Sequence, residues 1–275
     1  MPNSHRSETL VVGAGWLGLP LALTLQSAGW PVSASRRSQA GADSLAAQGL
    51  PSVVVDLQAT PLPAQLGQVE QLILAFPPGR RAGNAEQYPQ QLARLRDALA
   101  GSQVRRLLLL SSTGALADVA AELDEQSPTQ AASPLAQAEQ QLLADRRYQS
   151  TVLRLAGLFG PGRYPGRFFA GKTALSRGAA PVNLVHQADA IGLCQAILEQ
   201  QAWGQIFHGV APVSYRRDHF YPAAAQLAGL PAPQFSEYSD GKRVLGKATA
   251  ERLRYRYQVS DPLAWCQGTA SEVKC

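Results

Sequence analysis

Leu10-Val11-Val12-Gly13-Ala14-Gly15-Trp16-Leu17-Gly18, followed by Leu19-Pro20-Leu21-Ala22-Leu23-Thr24-Leu25, decides how this chain is read. A short apolar run stops at a glycine cluster, and an amphipathic helical pattern begins directly after it. In this G-x-G-x-x-G spacing Gly13 permits a tight turn off a strand. Gly15 lets main chain approach a ligand with no Cβ in the way, and Gly18 lets the helix pack close to the strand. The unpaired amides and the dipole of the helix start attract negative charge, as a dinucleotide pyrophosphate carries. Trp16 and Leu17 complete the turn, Trp16 either covering the pyrophosphate or packing on the sheet. The competing reading is a tight turn that binds nothing.

The residues that follow select among dinucleotides. Gly29 and Trp30 close the first helix, and Pro31-Val32-Ser33-Ala34-Ser35 reads as the second strand. An NAD site places Asp or Glu about 20 residues past the glycines, where it accepts hydrogen bonds from the ribose 2′-hydroxyl. Ser35, Arg36 and Arg37 stand there instead. Guanidinium pairs well with phosphate oxygens, so these residues predict a 2′-phosphate and favour NADP(H) over NAD(H), with NAD possible. Two arginines that merely solvate a loop are the alternative. Asp56, after the run Pro51-Ser52-Val53-Val54-Val55, and Leu57 beside it fall where adenine would lie; Asp56 could equally cap the next turn.

The 275 residues suit one α/β domain with a modest further lobe. With 45% hydrophobic and 16% charged residues, the chain can bury a sizeable core, which excludes a disordered class. No stretch approaches the roughly 20 apolar residues of a membrane span, and residues 1 to 9 lack the apolar centre of a secretory signal. Cys194, Cys266 and Cys275 fit neither a disulfide framework nor a metal-ligand spacing, so no metal and a reducing, cytoplasmic setting are expected. The net charge of +5 comes from dispersed arginine doublets at 36/37, 80/81, 105/106, 146/147 and 216/217. That dispersion argues against nucleic acid and for solvated surfaces plus one anionic-ligand site.

Further strand-like runs lie at Gln71–Phe76, Arg105–Leu110 and Ser150–Leu155, with helical patterns near 84–100 and 135–147 between them. Continuous apolar strands separated by helices predict a Rossmann-type, doubly wound parallel sheet, with ligands at the carboxyl ends of the strands. Phe76 and Pro77, Ser111 to Thr113, and Gly157 to Gly160 fall at such ends. Beyond residue 160 the pattern turns irregular, then helical near 187–200 and 215–228. The expected organisation is a dinucleotide-binding core over 1–160 and a small C-terminal substrate-binding lobe over 161–275, interleaved with the end of the sheet.

Several stretches resemble the extended, epimerase/dehydratase-like branch of the short-chain dehydrogenase/reductase superfamily. Leu107–Thr113 looks like its fifth strand, with Thr113 at its active-site Ser/Thr. Leu153-Arg154-Leu155 through Gly160-Pro161-Gly162 is similar to its R-L-x-x-x-x-G-P-G segment, His186 to Asp189 to its H-x-x-D, and Gly241 to Pro262 to its closing stretch. The Gly15-Trp16-Leu17-Gly18 start and the segment Gly160–Thr173 look specifically like the atypical YeeZ-type subgroup. The resemblance implies a nicotinamide cofactor and an oxidoreductase or epimerase activity. It departs from the family at the catalytic pair, a Tyr followed four residues later by a Lys. Anchoring on Glu139, similar to the family's helix glutamate, puts Ala131 and Leu135 in those places; no Tyr lies between Tyr88 and Tyr148, and no Lys before Lys172.

The loop carrying Arg163, Tyr164, Arg167 and Lys172 offers a Tyr or a Lys as substitute proton donor, Tyr164 first; Arg163, Arg167, Lys172 and His186 are the candidate contacts to a small polar or anionic substrate. His186 near Asp189 is an acid–base pair or a capping arrangement. Thr113 could hydrogen-bond a substrate carbonyl, and Phe168-Phe169 form a substrate wall or core. Two functions follow: an NADP(H)-dependent oxidoreductase or epimerase lacking the usual Tyr-x-x-x-Lys, or a dinucleotide-binding redox sensor or interaction protein without turnover. No nucleic-acid or membrane partner is expected, and the sequence leaves the oligomeric state open.

Overall fold

The structure is a computed structural model and describes residues 6–59, 61–76 and 85–273. A seven-stranded sheet organises the fold. Its strands are β1 (Thr9–Val12), β2 (Val32–Arg36), β3 (Ser52–Val54), β4 (Gln71–Leu74), β5 (Arg106–Ser112), β7 (Gln149–Leu155) and β10 (Ile206–Gly209), in the order β10-β7-β5-β4-β1-β2-β3. β1 pairs in parallel with both β2 and β4, and β2 with β3 and β4 with β5 do the same. This is the doubly wound α/β arrangement that the apolar runs predict. All four residues of β1 and of β4 are buried, as strands covered on both faces require.

The helices follow from their periodicity. In α1 (Gly18–Ser27) Leu21, Ala22 and Leu25 are buried. Gly29, at φ +81°, then lets the Trp30 amide turn back onto the Leu25 carbonyl at 3.0 Å, which ends the helix. α3 (Tyr88–Ala98) buries Tyr88, Leu92 and Leu95, and α4 (Pro134–Ala144) buries Leu135, Ala138, Glu139 and Leu142. The helix α2 (Gln39–Ala46) buries only Ala42 and Leu45. Its start is marked by Ser38, whose hydroxyl accepts from the Gly41 amide at 3.3 Å.

The chain forms two compact units, each assembled from three stretches: Met1–Ser111, Ala131–Leu153 and Ile197–Ile206 in the first, and Ser112–Gln130, Arg154–Ala196 and Phe207–Cys275 in the second. The second contains two small parallel sheets: β8 (Gly157–Phe159) with β9 (Leu184–His186), and β6 (Glu122–Leu123) with β11 (Arg243–Val244). It also holds α6 (Arg217–Leu227), α7 (Lys247–Arg252) and α8 (Pro262–Val273), and its core gathers Phe159, Tyr164, Val182, Leu184, Phe220, Tyr221 and Cys266. α5 (Gln187–Glu199) begins there. No helix among the described residues is long and apolar enough to cross a membrane.

Candidate functional site

The glycine turn lies at the carboxyl end of β1 and is held by the end of β2. Ser35 anchors it twice: its hydroxyl accepts from the Gly13 amide at 3.1 Å and its carbonyl from the Ala14 amide at 2.9 Å. Gly13 adopts φ +98°, and a Cβ there would meet the Phe76 amide nitrogen at 3.1 Å. A Cβ at Gly18 would collide with the Gly13 carbonyl oxygen, so the close packing assigned to this glycine is onto the turn itself. At Gly15 a Cβ would meet nothing within 4 Å; the exposed main chain faces open space. α1 has no side-chain cap and no acidic residue in its first turn. A bare helix start beside uncovered glycine main chain is a cradle for an anion.

The neighbouring strand ends carry the other candidates. Arg36 ends β2 and is half-buried, its Cβ and Cγ against Gly41; its Nε is buried and has no hydrogen-bond partner among the described residues. Arg37 is exposed, and neither arginine pairs with a carboxylate among the described residues. Asp56 does what its alternative reading proposed: Oδ1 accepts from the Gln58 amide at 3.0 Å, capping the following turn beside the buried Leu57. Phe76 follows β4, with its ring centroid 5.4 Å from that of Tyr88. Trp16 is half-buried and Leu17 buried at the entrance to α1. Pro77 lies outside the described residues.

Ser111 and Glu139 form a buried polar node that no motif announces. Ser111, at the end of β5, donates to Oε1 of Glu139 on α4, and both are buried. Tyr88 on α3 is wholly buried and its hydroxyl has no partner among the described residues; burial and the charge of Glu139 hold its phenol far above the usual range. No Tyr or Lys occurs on α4, and Leu135, where the family's lysine would fall, is 2% exposed.

In the second unit, Tyr164 must be withdrawn as a proton donor. It is buried in the core, and its hydroxyl faces the main-chain carbonyls of Ala224 at 3.2 Å and Cys266 at 3.1 Å. Burial pushes its phenol up, so the proton is committed to packing and costly to release. Thr113 begins a tight turn and is largely buried. His186 is a cap and does not form the acid–base pair: Nδ1 accepts from the Ala188 amide at 3.2 Å. Asp189 is spent elsewhere, accepting from the Tyr255 hydroxyl and the amides of Gln258 and Val259. Arg163, Arg167 and Lys172 are exposed, and Phe168 and Phe169 pack against the core.

The histidines set an acid limit. Burial lowers the pKa of His186 below its ordinary 6.5, against the pull of Asp189, and its Nε2 has no partner among the described residues. His208 is also lowered, first by burial; its Nδ1 lies 3.1 Å from the Leu245 carbonyl and Nε2 3.5 Å from Nη1 of the buried Arg154. Both are neutral in the fold and protonate more readily when unfolded. Their stability is therefore intact above about 6.5 and is lost as pH falls through their folded values. The paired carboxylates of Asp118, Asp145 and Asp218 are lowered, so their contribution is lost only in stronger acid. Melting temperature is expected to drop between pH 7.5 and pH 5; a flat profile over that range would contradict the two neutral histidines.

No family model matches the chain. It is 36% identical over 269 residues to Protein YeeZ of Escherichia coli (strain K12), an alignment covering 93% of this chain and 97% of that protein. Among solved structures it is similar to a short-chain dehydrogenase/reductase superfamily protein from Agrobacterium tumefaciens with bound NAD, at TM-score 0.76 and 16% identity, covering 96% of this chain and 97% of that one. It is similar also to human epimerase family protein SDR39U1 (isoform 2) with NADPH, at TM-score 0.70 and 18% identity, covering 96% and 99%. The parallel sheet, the glycine turn and this end-to-end likeness agree: the chain belongs to the YeeZ family, with the fold of the epimerase/dehydratase-like short-chain dehydrogenases/reductases.

Proposed function

We propose that the chain binds NADP(H) at the carboxyl ends of β1 to β4 and works as an oxidoreductase, or as an epimerase using bound nicotinamide transiently, on a small polar or anionic substrate. One observation carries the cofactor reading. Arg36, whose buried Nε has no partner among the described residues, ends β2 and Arg37 follows it, neither with a carboxylate partner among those residues, where an NAD site would place an acid. An unpaired buried donor is costly until an acceptor arrives, and a 2′-phosphate supplies one. The residues fit the group: Gly15 leaves room for the pyrophosphate, and Ser35 fixes the turn around it. Bound nicotinamide supplies or accepts hydride. That two similar folds hold NAD and NADPH supports a dinucleotide without choosing between them.

The chain's own part is binding and alignment. Thr113 offers a hydroxyl to a substrate carbonyl, and Arg163, Arg167 and Lys172 offer positive charge to an anionic substrate. A second reading, a redox sensor or interaction protein without turnover, is favoured by α4, which carries neither Tyr nor Lys, and by the commitment of Tyr164 to the core. Titration with NADPH by fluorescence, followed by a screen of carbonyl compounds and sugar nucleotides, tests both. The enzyme reading expects saturable NADPH binding and turnover of a panel member that survives in Tyr164→Phe. Tight binding with no turnover favours the sensor, and no NADPH binding overturns both.

A further inference from the structure

We propose that Lys172 and Arg217 form a phosphoryl-binding site around the ring of Phe169. The inference deepens the anionic-substrate part of the function proposed above and rests on it for the view that the ligand is substrate. Nζ of Lys172 lies 5.6 Å from the Phe169 centroid, and the Arg217 guanidinium carbon lies 5.3 Å from the same centroid. That guanidinium also lies 6.0 Å from the ring of Tyr221 and 5.7 Å from that of Phe235. Phe169 and Tyr221 meet edge to face at 4.7 Å, so the cations rest on a fixed aromatic floor.

Charge sets these two apart from their neighbours. Arg177 grips both carboxylate oxygens of Asp118 at 2.9 and 3.0 Å, and Arg216 pairs with Asp218 at 2.6 Å. Lys172 and Arg217 have no carboxylate partner among the described residues; the one hydrogen bond from the Arg217 side chain goes to the Ser176 carbonyl at 3.3 Å. Both cations stand close to one ring centroid, at 5.6 and 5.3 Å, with no carboxylate among the described residues to balance them, and an anion is the complement that this charge lacks. Cation–π packing accounts for either alone but leaves the pair uncompensated.

The main chain around them is held in an unusual form. Ala174 and Arg177 adopt φ of +55° and +63°, a region that side chains disfavour. The loop is pinned there by bonds to the 231–236 segment: Gly171 amide to Pro231 carbonyl at 2.8 Å, Gln234 amide to Lys172 carbonyl at 2.9 Å, and Leu175 amide to Gln234 carbonyl at 3.0 Å. Strain kept by an over-determined framework belongs to positions where geometry matters. Here it fixes Lys172 and the carbonyl that steadies Arg217.

The ligand class follows from the donors. Beside the three rings, the Arg217 guanidinium keeps several N–H donors in a fixed fork, and the ammonium of exposed Lys172 adds a further donor on a flexible stem. A phosphoryl group offers three oxygens and nearly two negative charges; a carboxylate offers two oxygens and one charge. The test is calorimetric titration with inorganic phosphate at low salt, made in the Gly15→Val/Arg36→Ala/Arg37→Ala chain so that neither the glycine turn nor the 2′-phosphate position is read. One-to-one binding is expected, weakened at least fivefold by Lys172→Met and at least tenfold by Arg217→Met, with partial recovery in Arg217→Lys. Lys172 is exposed, so its variant keeps the fold, and unchanged melting temperature verifies that. Undetectable phosphate binding, affinity indifferent to both positions, or acetate binding as tightly as phosphate would each overturn the proposal. NADPH binding to the unaltered chain is a separate readout, so the failure of either reading is recognisable.

Discussion

Arg36→Ala combined with Arg37→Ala is expected to weaken NADPH binding about 100-fold while changing NADH affinity by less than about threefold. Hydrogen bonds to charged groups contribute about 1.5–3 kcal/mol each. Arg37 is exposed and screened, so the lower figure applies twice, and about 3 kcal/mol is about two decades of affinity. NADH lacks the 2′-phosphate and keeps the pyrophosphate contacts at Gly13 to Gly18, hence the selectivity. The fold should not suffer, because neither arginine has a carboxylate partner among the described residues whose charge would be stranded. The wild-type preference for NADPH should also shrink as salt rises, since the discriminating term is electrostatic. Fluorescence titration of both coenzymes against both chains decides the matter. Equal losses for NADPH and NADH would remove the 2′-phosphate assignment and leave the arginines as surface charge.

What was legible in the sequence was what local chemistry dictates. The apolar runs at Leu10–Val12, at Gln71–Leu74 within Gln71–Phe76, and at Ser150–Leu155 are strands because both faces are covered, and no partner needs to be known to see it. The glycine turn was legible for the same reason: each glycine answers a steric demand within a few residues. Tyr164 is not legible in this way: a phenol in a charged loop looks like an acid until Ala224 and Cys266, 60 and 102 positions away, present their carbonyls to it. His186 and Asp189, only three residues apart, looked like a pair, yet the partners of Asp189 are at Tyr255, Gln258 and Val259. The Ser111–Glu139 bond and the buried Tyr88 join three elements through tertiary packing alone. Long-range partners decided each of these roles, and no periodicity records them.

Two single substitutions within the glycine turn should separate the fold from the site. Gly15→Val is expected to leave melting temperature within about 2 °C of wild type and to lower dinucleotide affinity at least about 100-fold. A Cβ at Gly15 meets nothing within 4 Å, and a surface change of that kind costs within about 0.5 kcal/mol. The space it enters is where the pyrophosphate must touch main chain, so the branched side chain displaces the ligand and not the protein. Gly18→Ala should behave in the opposite order. Its methyl falls on the Gly13 carbonyl oxygen, which belongs to backbone that Ser35 holds from two sides, so neither atom can yield cheaply. Overpacking of this kind costs about 1–3 kcal/mol, a drop of several degrees for a chain of this size, with affinity falling as a consequence of the displaced turn. Thermal melts and coenzyme titrations on the two variants are sufficient. Should Gly15→Val bind NADPH as wild type does, the phosphates do not lie over the glycine turn, and the cofactor reading falls although the fold stands.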